Sequence, residues 1–120
     1  MALPANDNRG ATPAATDRIR SLNDRFRRSF VGGHVVETAG VVALPEGERI
    51  ALLLEVRRDT CFEVSNDPYS EHDFGAVEVG GVRFFWSIDA YDRNLVGRSP
   101  DPSDPSVTVR VLTIMRADEY

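Results

Sequence analysis

The 120-residue chain has no lysine and no glutamine, and only one cysteine and one tryptophan. Without lysine, Schiff-base chemistry, a lysine general base and the lysine of a phosphate-binding loop are excluded, and all 14 basic residues are arginine. A single cysteine, Cys61, rules out an internal disulfide and a cysteine-rich zinc site. Beside Phe62 in an apolar stretch, that thiol reads as buried and inert, because nothing nearby in the chain would stabilise a thiolate. No apolar run approaches the ~20 residues that span a bilayer. The opening residues, Met1 to Asn8, lack the basic-then-apolar order of a signal peptide. The expectation is a cytoplasmic protein with no membrane contact.

What is present is ordinary in amount and uneven in placement. A hydrophobic content of 42% with 28% charge fits a soluble globular domain, and this length suits one domain. A net charge of −5 argues against a general nucleic-acid binder. Residues 1–33 hold six Arg against three Asp, and residues 34–120 hold eight Arg against sixteen acids. A basic first helix on an acidic body suits either a charged partner or internal packing.

Residues 1–12 are rich in Ala, Asn and Pro without periodicity and read as a disordered tail, leaving 13–120 as one domain. Ile19, Leu22, Phe26 and Phe30 recur at helical spacing, so a helix starts near Pro13 or Thr16, with Thr16 able to cap it. Arg20–Asp24 and Asp24–Arg28 would then be solvent-side pairs, and Gly32-Gly33 would end the helix. His34 to Thr38 reads as a short strand. A second helix opens at Pro45, with Ile50, Leu53 and Leu54 toward the core and Leu52 and Val56 widening that face. Asp73–Val79 and Val82–Tyr91 are strands joined by Gly80-Gly81, and 107–115 is the last strand after a Pro- and Asp-rich loop. The expected class is α+β, in the order α-β-α-β-β-β, with the helices on an antiparallel sheet of three to four strands.

A two-residue Gly80-Gly81 turn fixes the hairpin register. Glu78 then faces Arg83, and Gly75 faces Trp86, where a missing side chain leaves room for the indole. Alternation puts Val77, Val79, Val82, Phe84, Trp86 and Ile88 on the core face, and Phe74, Ala76, Phe85, Ser87 and Tyr91 on the other. That second, mixed face is expected to be covered in part by the loop 93–106 or by a second subunit. Continuing the count sets Asp73 opposite Ile88 and His72 opposite Asp89.

The polar run Asn66-Asp67-Pro68-Tyr69-Ser70-Glu71-His72-Asp73 therefore holds the candidate site. His72 and Asp89 are the candidate catalytic pair, a base with its orienting carboxylate, set against a plain structural hydrogen bond that dyads of this kind more often make. Asp67, Glu71, His72, Asp73 and Tyr91 are the candidate binding residues. A hard-cation site from the same carboxylates is the alternative, although adjacent His72 and Asp73 diverge in a regular strand and no metal motif of recognised spacing is present. Asn66-Asp67-Pro68 has a simpler reading as a turn. Arg18, Arg20, Arg25, Arg27 and Arg28 read as a solvated helix face, with nucleic-acid binding the lesser alternative. The sequence points to no cofactor, no bound metal and no small-molecule ligand.

The chain resembles a small uncharacterised family, a domain of unknown function common in alphaproteobacteria, often on plasmids and mobile elements. The resemblance rests on Ile19-Arg20-Ser21-Leu22-Asn23-Asp24, Asn66-Asp67-Pro68-Tyr69, Glu71-His72-Asp73-Phe74-Gly75, Phe84-Phe85-Trp86 with Ile88-Asp89, and Arg110 to Met115 with Glu119-Tyr120. It covers about residues 16–120. A lysine usual after the tryptophan is Ser87 here, and a tyrosine usual after the Ile-Asp pair is Ala90. The resemblance implies a bacterial cytoplasmic accessory protein and transfers no activity. The expected function is a non-catalytic module that engages a protein partner or forms a homodimer, with a small metal-dependent hydrolase or nuclease centred on His72, Asp73 and Asp89 as the alternative.

Overall fold

The helical stripe of Ile19 and Phe26 does form a helix, α1 (Pro13–Ser29), but its ends differ from expectation. In the computed structural model, which describes residues 12–120, the N-cap is Thr12 rather than Thr16. Its Oγ1 accepts from Ala15 N–H at 3.1 Å, and Pro13 takes the first helical position, where its missing N–H costs nothing. Of the tail expected over residues 1–12, Thr12 caps the helix and 1–11 lie outside the described residues. At the other end the C-cap is Phe30, ahead of the glycine pair; it adopts the left-handed conformation (φ 61°) and donates its N–H to the Phe26 carbonyl at 2.7 Å. Its ring packs on the core, with the Arg57 guanidinium 5.4 Å from its centroid.

Strand β1 (Gly33–Glu37) is followed by a single helical turn, α2 (Ala39–Val42), and by α3 (Glu46–Arg57). Pro45 is the N-cap of α3, and Glu46 and Glu48 occupy its first turn. Its inward face is rotated from the expected one. Leu52 and Val56 are fully buried, whereas Ile50 is 52% and Leu54 45% exposed. A five-residue apolar run cannot by itself say which of its members face inward. The inward pair is set by packing against the neighbouring strand.

The sheet comprises β1, β2 (Phe74–Val79), β3 (Val82–Tyr91) and β4 (Val109–Arg116), in spatial order β1-β4-β3-β2. β2, β3 and β4 are antiparallel as expected, and β1 joins the edge parallel to β4, so the sheet is mixed. A short 3-10 turn (Pro105–Val107) leads into β4, and another (Ala117–Glu119) follows it. Gly80 (φ 60°) and Gly81 (φ 79°) make the tight turn, with Val79 opposite Val82, Glu78 opposite Arg83 and Gly75 opposite Trp86. A Cβ on Gly75 would collide with the Trp86 indole and the Asp59 carboxylate, so this pair requires glycine.

The core lies on one side of the sheet only. Phe26 of α1, Val41 of α2 and Leu52 and Val56 of α3 close over Phe84, Trp86, Ile88, Leu112 and Ile114. On the far side, Phe74, Phe85, Ser87, Val111, Thr113 and Met115 stay half-buried, and Val36 is 45% exposed. Over that face lie Tyr120, whose ring centroid is 5.3 Å from Phe85 and 6.2 Å from Phe74, and the Arg83 guanidinium, 5.5 Å from the Phe85 centroid. The loop expected to cover it runs elsewhere: Ser103 and Pro102 give their carbonyls to Arg18 of α1 and to Arg110 on the core side.

Candidate functional site

Asp67 organises the polar run. Its Oδ1 accepts from the N–H groups of Glu71 and His72, both at 3.0 Å, so one carboxylate oxygen closes the turn that the Asn-Asp-Pro sequence opens. Within that turn Ser70 (φ 57°) and His72 (φ 53°) take left-handed conformations. Strand alternation therefore stops before His72. The regular pairing ends at Phe74–Ser87, with one further bond from Ile88 N–H to the Asp73 carbonyl at 2.8 Å.

The expected His72–Asp89 pair is consequently corrected. The imidazole turns to α1, where Nδ1 lies 2.9 and 3.1 Å from the two Asp24 oxygens, and Nε2 lies 3.6 Å from Asp67 Oδ2. Its ring stacks on Phe62, 3.7 Å between centroids and 5° from parallel. Both ring nitrogens face carboxylates and one ring face is covered, so His72 ties the loop to the first helix.

Behind it is a residue that the sequence misassigned. Arg27 belongs to no solvated face, since its side chain is fully buried. Nη1 donates to the carbonyls of Val56 (2.9 Å) and Arg57 (3.2 Å) at the end of α3, and Nη2 to Asp24 at 3.2 Å. The guanidinium carbon sits 4.9 Å from the Trp86 ring and 5.4 Å from the Phe62 ring. Burial lowers the Arg27 pKa, while its hydrogen bond with Asp24 acts to raise it. Its Nε is the one buried side-chain polar atom without a hydrogen-bond partner among the described residues. Asp59 completes the cluster, with Oδ2 accepting from the Trp86 indole N–H at 2.9 Å and Oδ1 from Cys61 N–H at 3.0 Å. Cys61 itself is exposed, not buried as expected.

The remaining candidates gather elsewhere. Glu71, Asp73, Asp89 and Tyr91 line a recess of about 190 Å³ with Asn23, Arg98 and Arg110. It opens where β2 has ended. Arg110 is buried there, its Nε donating to Asn23 Oδ1 at 2.7 Å and its Nη2 to the Pro102 carbonyl. Desolvation lowers the Arg110 pKa, and the nearby Glu71 carboxylate opposes that shift. Asn23 Nδ2 in turn donates to the Glu71 carbonyl at 2.9 Å. Desolvation by its neighbours also raises the Asp89 pKa, although solvent still reaches this residue. The structure thus brings four of the expected site residues to the recess and sends Asp67 and His72 to the Asp24 side. Among the described residues, no group of three or more His, Cys, Asp or Glu is placed to hold a metal ion. No helix among them is long and apolar enough to cross a membrane.

Fold and site define a two-layer α+β domain in which Asp67 and His72 tie the segment before β2 to α1, and no helix packs on the second sheet face. The chain belongs to a protein family of unknown function, DUF3768, whose profile matches residues 37–119. No match was found among curated proteins or among solved structures.

Proposed function

We propose that this domain is a non-catalytic binding module that engages a protein partner through the uncovered face of its sheet. The observation that supports this reading is that face itself, where Val36, Val111, Met115, Phe85 and Phe74 surround the polar Thr113 and Ser87, in a chain whose helices all pack on the other side. Partly apolar surface that no element of a small domain covers is a candidate contact site. The small size and the resemblance to proteins of mobile elements fit a bacterial, cytoplasmic accessory role.

A metal-dependent hydrolase at His72, Asp73 and Asp89 draws no support from the geometry. His72 is held by Asp24, Asp67 and Phe62, while Asp73 and Asp89 line the recess. The test is site-specific photocrosslinking in bacterial cells, with the reactive side chain at Thr113 on the open face or at exposed Arg25 on α1. Discrete protein adducts from Thr113 and none from Arg25 are expected. Equal labelling from both positions, or none from Thr113, would overturn the reading.

A further inference from the structure

We propose that the recess beyond the end of β2 is a binding site for a small organic cation, an ammonium or guanidinium group on a short apolar stem, held by the Asp89 carboxylate. Such a site would exist whether or not a partner covers the far face of the sheet. The walls of the recess, its size and its one unmatched charge each point to this ligand.

The inner wall is already built. Ile19, Asn23, Glu71, Ile88, Pro102 and Arg110 are all buried, so aliphatic surface stands beside polar groups that are fixed before any ligand arrives. The Asn23 amide is occupied at both ends, donating to the Glu71 carbonyl and accepting from Arg110 Nε, and Arg110 also donates to the Pro102 carbonyl. Ala90 and Tyr91 are half-buried, while Asp89 and Arg98 are the exposed members of the lining and mark its mouth. The volume of about 190 Å³ is below the ~300 Å³ at which pockets for whole small molecules begin. At about 30 Å³ for each water-sized group, it holds roughly six of them. That is the size of a butylammonium or an ethylguanidinium ion, and far too small for a nucleotide.

Charge selects the sign of the ligand. Glu71, Asp73 and Arg98 each have a partner within the protein, and Arg110 has its bonds to Asn23 and Pro102 with the Glu71 carboxylate nearby. Asp89 differs. Desolvation by its surroundings pushes its carboxyl up from the ordinary range, and no cation or hydrogen-bond donor acts against that shift. A cation that reaches a carboxylate so placed gains more than it would from one in open water. An anion gains nothing comparable, because both arginines of the lining are engaged. A metal ion fits less well, since among the described residues no group of three or more His, Cys, Asp or Glu is placed to hold one. An alkylammonium needs only one carboxylate for its head and aliphatic surface for its stem, and Ile19 and Ile88 line the recess.

Titration of the isotope-labelled chain with butylammonium, followed by two-dimensional NMR, tests this. Saturable shifts are expected at the amides of Asp89, Ala90 and Tyr91, with a millimolar dissociation constant, and none at Glu63, an exposed acid outside the recess. Asp89→Asn, at a solvent-exposed position, should keep the fold and weaken binding at least tenfold, and Glu63→Gln should leave it unchanged. Butyrate and butanol, with the same stem, should not bind. No saturable shift with butylammonium, equal binding of butyrate or butanol, or an Asp89→Asn protein that binds as tightly as the wild type would each overturn the assignment. The peptide acetyl-Gly-Lys-Gly-amide separates the two sources of such a cation. Tighter binding than butylammonium supports a seat for the lysine side chain of a partner, and equal or weaker binding supports a site for a free amine.

Discussion

Replacing Arg27 with alanine should cost this domain about 3–5 kcal/mol, the range seen when one partner of a buried ion pair is removed. The components can be followed from its contacts. Removing the guanidinium takes the side-chain donor from the Val56 carbonyl, which keeps the Asp59 N–H at 3.4 Å, and from the Arg57 carbonyl, at a cost of about 1–3 kcal/mol where water cannot replace it. It also removes a cation from between the Trp86 and Phe62 rings, worth about 2 kcal/mol where desolvated. A void opens where a fully buried side chain stood. Two effects offset these losses. The buried charge no longer has to be desolvated, and Asp24 keeps His72 at 2.9 Å and Arg28 at 3.9 Å. The sum stays unfavourable because neither effect supplies donors to the helix end.

Urea unfolding followed by Trp86 fluorescence and by circular dichroism gives the value. A loss of 3–5 kcal/mol lowers the midpoint by roughly 2–3 M for a domain of this size, with the slope unchanged. Arg27→Met keeps the apolar stem between the rings and should cost less than the alanine variant. Adding Asp24→Asn to Arg27→Met should cost less than the sum of the single changes, because both act on one network. If Arg27→Ala costs less than about 1 kcal/mol, the guanidinium does not hold α1 to α3.

Gly75→Ala should destabilise by about 1–3 kcal/mol by urea titration, since its methyl group meets the Trp86 indole and the Asp59 carboxylate, and the indole N–H bond to Asp59 would be displaced with it. Glu119 accepts from Thr38 Oγ1 at 2.7 Å and from the N–H groups of Arg116 and Gly40, both at 2.8 Å, and these bonds hold its pKa below the ordinary 4.5. A depressed carboxylate contributes stability above its unfolded pKa and loses it as pH falls through the folded one. The urea-midpoint difference between wild type and Glu119→Ala should therefore be full at pH 6 to 7 and shrink below about pH 4.5, and a difference that grew toward acid would contradict the assignment.

The hairpin was legible because a glycine pair dictates its own turn, and counting outward from Gly80-Gly81 fixed each pairing down to Phe74–Ser87. The same count failed two residues further on. Asp67 captures the N–H groups of Glu71 and His72, and that capture forces His72 to a positive φ that no strand pattern anticipates. The acidic run was a usable signal for a structured turn, but the partner of its histidine, Asp24, lies 48 residues away. Arg27 was unreadable for a different reason. It stands next to the apolar stripe at Phe26, where helical geometry allows burial, yet a charged residue in a run of arginines reads as solvated unless its acceptors are known. Those acceptors are backbone carbonyls of another helix, which leave no mark in the sequence. For α3, period alone offered Ile50, Leu53 and Leu54 as core with Leu52 and Val56 widening that face, and packing buries Leu52 and Val56, keeps Leu53 against the core and leaves Ile50 and Leu54 exposed.

The missing lysine and the carbonyl-seeking arginines belong together. Arg18 donates to the Ser103 carbonyl, Arg20 to Ser70, Arg27 to Val56 and Arg57, Arg57 to Arg28 and Arg110 to Pro102. In each case an arginine reaches across to another element or loop. A guanidinium can do this while a second of its nitrogens keeps another acceptor, as Arg27 does with Asp24 and Arg110 with Asn23. An ammonium offers only a point charge and no plane to lie against the Trp86 and Phe62 rings. The same arginines that look like a phosphate-tracking helix are thus largely committed to the fold. His72 and Asp67 are committed to the fold in the same way, the one to Asp24 of α1 and the other to the N–H groups of the turn.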